Sequence, residues 1–241
     1  MSLEQARVRR PSRRLVGILL ANVATLAWAT NMTLGRWLRD DIGPLTMSAV
    51  RFLVASLLLT ALLQRQPAED RRLGGDRWLL AAMALAGVVL FAPTLYLALR
   101  FTTTVNATLI NGLGPLITGL LAALLIREPM TRRQIVGAFV ALAGILVLIS
   151  GGSLDFWRSL GSNIGDLIMI VAVTLWSLYS VLSRRATYRR SVLSATAFST
   201  LLGLPLLLLA AVVELQFIPV NARPRVFLSL LWIGIVPTVV G

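Results

Sequence analysis

Long uncharged runs separated by short, arginine-bearing breaks dominate this chain. Leu15 to Gly35, Leu79 to Leu99, Thr102 to Ile126, Ile135 to Gly152 and Val192 to Val213 each pass without an Asp, Glu or Arg. Each run has roughly the 17 to 25 residues a membrane-spanning helix needs. The pattern predicts helices at 15–36, 44–63, 78–99, 103–126, 134–151, 164–183, 191–213 and from 226 onward, joined by short loops. The first run follows a basic segment, as a signal peptide would, yet it carries no small-residue cleavage site near its end and reads as a retained helix.

Capping signals fall at the same cuts. Thr131 and Gln134 in MTRRQ have capping-box spacing before the fifth helix, and Ser162 or Asn163 precedes Asp166 before the sixth.

The arginines sort the loops into two sets. One set holds Arg7, Arg9, Arg10, Arg13 and Arg14, then Arg65, Arg71, Arg72 and Arg77, then Arg127, Arg132 and Arg133, then Arg184, Arg185, Arg189 and Arg190. The alternate loops hold Arg36, Arg39, Arg100, Arg158, Arg223 and Arg225. The positive-inside rule then places the amino terminus in the cytoplasm, in a multi-pass protein of the bacterial inner membrane.

An internal repeat runs through these helices. At a constant offset of 148, Gly17, Val23, Ala24, Trp28, Leu34 and Arg36 fall on Gly165, Val171, Ala172, Trp176, Leu182 and Arg184. Ala49, Leu53, Leu58 and Leu59 continue onto Ala197, Leu201, Leu206 and Leu207. Leucine coincidences are common in apolar helices; Trp, Gly and Arg in one register are not. Five helices separate the copies, and an odd number means that the second enters from the opposite face, as in secondary transporters whose site lies between inverted halves. The expected units are 1–152 and 153–241, the second incomplete. A second unit of equal length would end near residue 300, so about two helices, the counterparts of 103–126 and 134–151, are expected beyond residue 241.

Composition excludes several classes of function. With 57% hydrophobic and 14% charged residues, the chain has more apolar surface than one soluble core of 241 residues could bury. All 23 basic residues are arginine and the net charge is +13, but they lie between the apolar runs and not on one face, which argues against a nucleic-acid partner. Cys and His are both absent. An intramembrane enzyme would need a nucleophile with a base, or metal ligands, at depth. Neither set is present, so the chain is read as no enzyme and as needing no cofactor or metal.

Three stretches, LAWATNMTLGRWL, PLTMSAVRFLVASLLL and NATLINGLGPLITGLLAALLIREPMTRRQIVGAFVALAGILVLI, resemble the EamA-type ten-helix exporters of the drug/metabolite transporter superfamily. In that family the fourth helix carries a proline before a small-residue run and ends in Glu, with a Thr or Ser and a Gly-rich fifth helix after it. Here these are Pro115, Glu128, Thr131, Gly137 and Gly144. By overall similarity the chain looks most like the bacterial aromatic amino acid exporters of the YddG type. The resemblance implies an all-α fold of two inverted five-helix repeats, both termini cytoplasmic, and a cavity lined by the first, third and fourth helices and their counterparts. It also implies a small-molecule substrate exported by alternating access, an amino acid with an apolar or aromatic side chain. Oligomeric state, monomer or homodimer, is left open. The competing readings are an organic-cation or multidrug exporter of the same superfamily, and a membrane adaptor that transports nothing.

Polar groups within spans should face a cavity or a neighbouring helix. Asn31, Asn106 and Asn111 could bind a substrate's amino or carboxylate group, or could form amide bonds between helices. Pro93 and Pro115, and further on Pro237, should free backbone carbonyls at depth, for substrate or merely as packing kinks. Trp28 with Trp176, and Tyr96 with Tyr179, could wall an apolar side chain or pack the repeat interface. Trp78, Trp157 and Trp232 read as interfacial anchors, and Arg51 as an arginine that snorkels to the periplasmic face. Glu128 reads as a loop ion pair beside Arg127 and Arg132. Gly137, Ala141 and Gly144 form a small-residue face for a further helix. A phosphate-sugar antiporter would carry basic residues deep in its substrate helices, and the third, fourth and sixth have none. Because all ten acids lie in loops or near span ends, the cavity is expected to be near neutral, to suit a zwitterion, and to run no proton antiport through a titrating carboxylate.

Overall fold

The computed structural model describes residues 13–150 and 163–240. Among them are eight helices: α1 (Arg13–Trp37), α2 (Pro44–Leu63), α3 (Arg77–Phe101), α4 (Thr104–Leu125), α5 (Arg132–Ser150), α6 (Ile164–Ala186), α7 (Val192–Glu214) and α8 (Pro224–Ile235). Six of these are long and apolar enough to cross a membrane, and their bounds match the runs read from sequence within a few residues.

Helix starts follow local chemistry. Thr131 and Gln134 bond reciprocally at the head of α5, Thr131 N to Gln134 Oε1 at 2.8 Å and Gln134 N to Thr131 Oγ1 at 3.3 Å. Asn163 caps α6 by accepting from Gly165 N at 2.9 Å. The first turn of α2 is capped from far along the chain: Glu214 accepts from Leu45 N at 3.1 Å and from Thr46 N at 2.7 Å. A carboxylate there satisfies free N–H groups and meets the positive end of the helix dipole. Gly43 makes the approach possible, since a Cβ at that position would lie 2.2 Å from Glu214 Oε2.

Pro93, Pro115 and Pro237 stand at changes of helical pitch or at a break, whereas Pro205 lies inside the α-helix α7. Within α3, Ala84–Phe91 is π-helical, and Pro93 then stands in the first turn of the α-helical segment Ala92–Phe101, where a missing N–H costs little. α4 breaks at Gly112 and Leu113, and Pro115 begins its second segment, Gly114–Leu125. α8 runs into a second π segment, Val236–Val240, which contains Pro237. Carried on by 148 residues, Ala84–Phe91 falls on 232–239 and overlaps that second segment.

Several contacts between helices form matched pairs. α2 lies against α7; α3 against α7, as α8 against α2; and α3 against α6, as α8 against α1. α4 packs on α6. The main core gathers residues such as Met47, Phe52, Leu95, Tyr96, Met169, Leu207 and Ile233 at these contacts. Leu57, Leu124, Leu209 and Leu228 point outward and exposed, the apolar belt that lipid would cover.

The two ends are tied by ion pairs of opposite polarity. At the arginine-rich end, Arg190 after α6 pairs with Asp76 before α3, its Nε 2.7 Å from Asp76 Oδ2, and both side chains are buried. At the other end, Asp41 after α1 pairs with Arg225 of α8 at 2.8 Å and accepts from Asn221 Nδ2 at 2.9 Å.

Candidate functional site

Four aromatic side chains meet near the middle of the bundle. Trp28 on α1 and Trp176 on α6 stand edge to face with ring centroids 5.8 Å apart. Trp176 also lies against Phe91 of α3 at 4.9 Å and Tyr179 of its own helix at 5.3 Å. Gly87, in the π-helical part of α3, lets the Tyr179 ring rest on the helix backbone: a Cβ there would fall 2.3 Å from the ring. Trp28 is fixed by its indole N–H, which donates to the Pro237 carbonyl at 3.2 Å. The Ile233 carbonyl, four residues before Pro237, accepts from Thr238 Oγ1 at 2.9 Å.

Three neighbouring spaces share Trp28 and Trp176 in their linings. A small one of about 60 Å³ is lined by Asn31, Met32, Arg51, Phe91, Leu95 and Asn111. A second of about 320 Å³ reaches Tyr179, Ser180, Ser183, Thr196, Ser199, Thr200, Pro237 and Thr238. A groove of about 880 Å³ between α4, α5 and α6 is lined by Asn111, Pro115, Thr118, Gly137 and Ala141, with Glu128 and Arg184 at its arginine-rich end. Of the residues singled out in the sequence, Trp28, Asn31, Asn111, Pro115, Trp176 and Tyr179 come together around this space. Tyr96 lies just behind it, buried, with its hydroxyl on Asn31 Oδ1 at 2.7 Å. Pro93 is buried in helix packing and Asn106 sits in the first turn of α4, and neither lines these spaces.

Arg51 corrects two expectations. It does not snorkel outward, because α2 is enclosed by α7 and α8 and the side chain is only 6% exposed. Its Nε donates to Thr238 Oγ1 at 2.8 Å and its Nη1 to Tyr96 OH at 3.2 Å, with Asn31 Oδ1 at 3.4 Å. The cavity is therefore not neutral, since Arg51 lines two of its three parts. Its hydrogen-bond partners are neutral.

Two smaller readings also change. Glu128 pairs with Arg184 of α6 at 2.8 Å and accepts from Tyr188 OH at 3.2 Å, not from its neighbours in sequence. Trp232 is no simple anchor: its indole N–H donates to Thr30 Oγ1 at 3.0 Å, joining α8 to α1. Trp157 lies outside the described residues. Sequence reading missed the hydroxyl stripe of Ser180, Ser183, Thr196, Ser199 and Thr200, whose three- and four-residue spacing on α6 and α7 was the available signal.

Comparison with known proteins fits this arrangement. The model of the EamA-like transporter family matches residues 15–150 and again 163–241. An uncharacterized transporter of Bacillus subtilis, YyaM, is 30% identical over 77% of this chain and 61% of its own length. An uncharacterized transporter of Archaeoglobus fulgidus is 30% identical over 92% of the chain and 75% of its own length. The uncharacterized inner membrane transporter YhbE of Escherichia coli is 27% identical over 69% of the chain, and the match spans 53% of its length. One solved crystal structure superposes with a TM-score of 0.64 at 24% identity, covering 91% of this chain and 74% of that one, a likeness of fold.

Proposed function

The chain belongs to the EamA-like transporter family, and from that premise we propose that it is part of a secondary transporter exporting small metabolites by alternating access at the cavity around Trp28 and Trp176. The substrate we infer is an amino acid with an apolar or aromatic side chain, as in the YddG-type exporters. The observation that carries this is the four-ring cluster of Trp28, Trp176, Phe91 and Tyr179, contributed by three helices and bordered by open space. Aromatic walls gain from stacking and edge contacts with an apolar side chain. Asn111 and the hydroxyls of α6 and α7 offer hydrogen bonds to the polar end.

In this reading residues 1–152 and 153–241 are inverted repeats, supported by the matched helix contacts, the paired π segments and the 148-residue register. The amino terminus is then cytoplasmic, with the arginine-rich loops on the inner face of the cell membrane. Arg51 counts against an organic-cation exporter, because a cation in this space would meet a guanidinium that has no carboxylate partner among the described residues.

The test is uptake of a panel of labelled amino acids into proteoliposomes holding the purified full-length protein, with and without a pH gradient. Saturable flux of phenylalanine, tyrosine or leucine is expected. If no amino acid moves under either condition, the proposal fails.

A further inference from the structure

We propose that Arg51 is the carboxylate-binding group of this cavity, and that its ligands are apolar organic carboxylates, with or without an α-ammonium group. This rests on the carrier reading and sharpens its substrate class. A guanidinium can offer five N–H donors, and in Arg51 the protein engages those of Nε and Nη1. Nε is held by Thr238 of the π segment after α8, and Nη1 by Tyr96 of α3 and Asn31 of α1. No protein partner holds Nη2 among the described residues, and it is not one of the buried polar atoms left without a partner, so it is open to the space that Arg51 lines. Contacts from α1, α3 and the π segment after α8 thus fix the plane of the guanidinium and leave Nη2 unclaimed at a residue that lines the cavity.

Charge leads to the same conclusion. A buried guanidinium with only neutral partners bears an uncompensated desolvation cost, which an anion in the cavity would offset. Arginine suits this role better than lysine, because its planar fork matches a carboxylate. On the far side of the same small space stand Trp28, Phe91 and Trp176. An amphiphile whose carboxylate meets Nη2 would lay its apolar body against those rings.

Among the described residues no acidic side chain lines the two inner parts of the cavity, so the polar groups there that could accept from a substrate ammonium are hydroxyls, amides and backbone carbonyls. The carboxylate should therefore dominate recognition, and the amine should be dispensable.

The experiment is calorimetric titration of the purified full-length protein with four ligands of one shape: phenylpropionate, phenylalanine, phenylpropionamide and phenethylamine. Both carboxylates are expected to bind, the amide about tenfold more weakly, the loss expected for one hydrogen bond to a charged group. Phenethylamine should bind least. Arg51→Gln should bring the acid-to-amide ratio close to one, and Arg51→Lys should keep part of it; a ratio of affinities does not depend on how much protein folds. If the amide or the amine binds as well as the acids, the assignment of Arg51 is overturned while the carrier reading stands. A wild-type ratio that survives in Arg51→Gln also overturns it. Should none of the four ligands bind, the aromatic-carrier reading falls and this inference with it. If Arg51→Gln does not fold, the wild-type ranking and Arg51→Lys still decide.

Discussion

Trp28 and Trp176, 148 positions apart, touch edge to face at 80°, so the most distinctive match between the two halves of the sequence is also a contact in space. The contact is asymmetric in its supports. Trp28 is held by a hydrogen bond to the Pro237 carbonyl, whereas Trp176 leans on the rings of Phe91 and Tyr179.

That asymmetry separates the effects of two substitutions. Trp176→Ala removes a ring that borders all three parts of the cavity, and aromatic ligands should bind about tenfold more weakly. Trp28→Phe keeps a ring in place but loses the indole N–H, so it should cost about 1 kcal/mol of stability and change affinity little. Titration together with thermal unfolding in detergent tells the two apart. Parallel losses of binding and stability in both variants would mean that the rings are packing alone.

A second prediction concerns Glu214, which accepts from two backbone N–H groups and from Thr46 Oγ1 at the start of α2. Glu214→Gln keeps the shape, but it removes the charge that meets the helix dipole and replaces one acceptor with a donor. The expected loss is about 2 kcal/mol. An unfolding midpoint equal to wild type would show that the cap contributes nothing.

The ion pairs should differ sharply in worth. Asp76 and Arg190 are each about 7% exposed, and Asp76→Asn leaves the guanidinium buried without a counter-charge, at a cost of roughly 3 to 5 kcal/mol. Glu128 and Arg184 are far more exposed, and Glu128→Gln should cost less than about 1 kcal/mol. Unfolding of the two variants side by side checks the order, and the reverse order would contradict the burial seen here.

Helix positions were legible because the distance from one charge to the next measures a span directly, and because MTRRQ and Asn163 mark starts by local bonding. Trp28 and Trp176 were legible because tryptophan in mid-span, repeated in one register, has few ordinary explanations. The direction of Arg51 was not. An arginine seven residues into a helix reaches either the interface or the interior, and which it takes depends on what encloses that helix. α2 is apolar on all sides, so its own pattern does not say which face meets α7 and α8 and which meets lipid. Asn106 failed for a related reason: in the first turn of α4 it lies near the end of the span, and its type alone gave no depth. Glu214 as a cap for a helix 168 residues away had no local signal at all.

The opposed polarity of the two terminal ion pairs bears on how such a molecule chooses its own halves. Suppose two copies of the first half met in the inverted arrangement proposed above for the two repeats. Asp41 of each would then face Asp76 of the other, acid against acid at both ends. Two copies of the second half would set Arg190 against Arg225, base against base. Only the mixed pairing neutralises both sites. The loops therefore favour each half's assembly with an unlike half over assembly with a second copy of itself, so charge at the two ends rejects the like-with-like pairings that similar halves would otherwise permit.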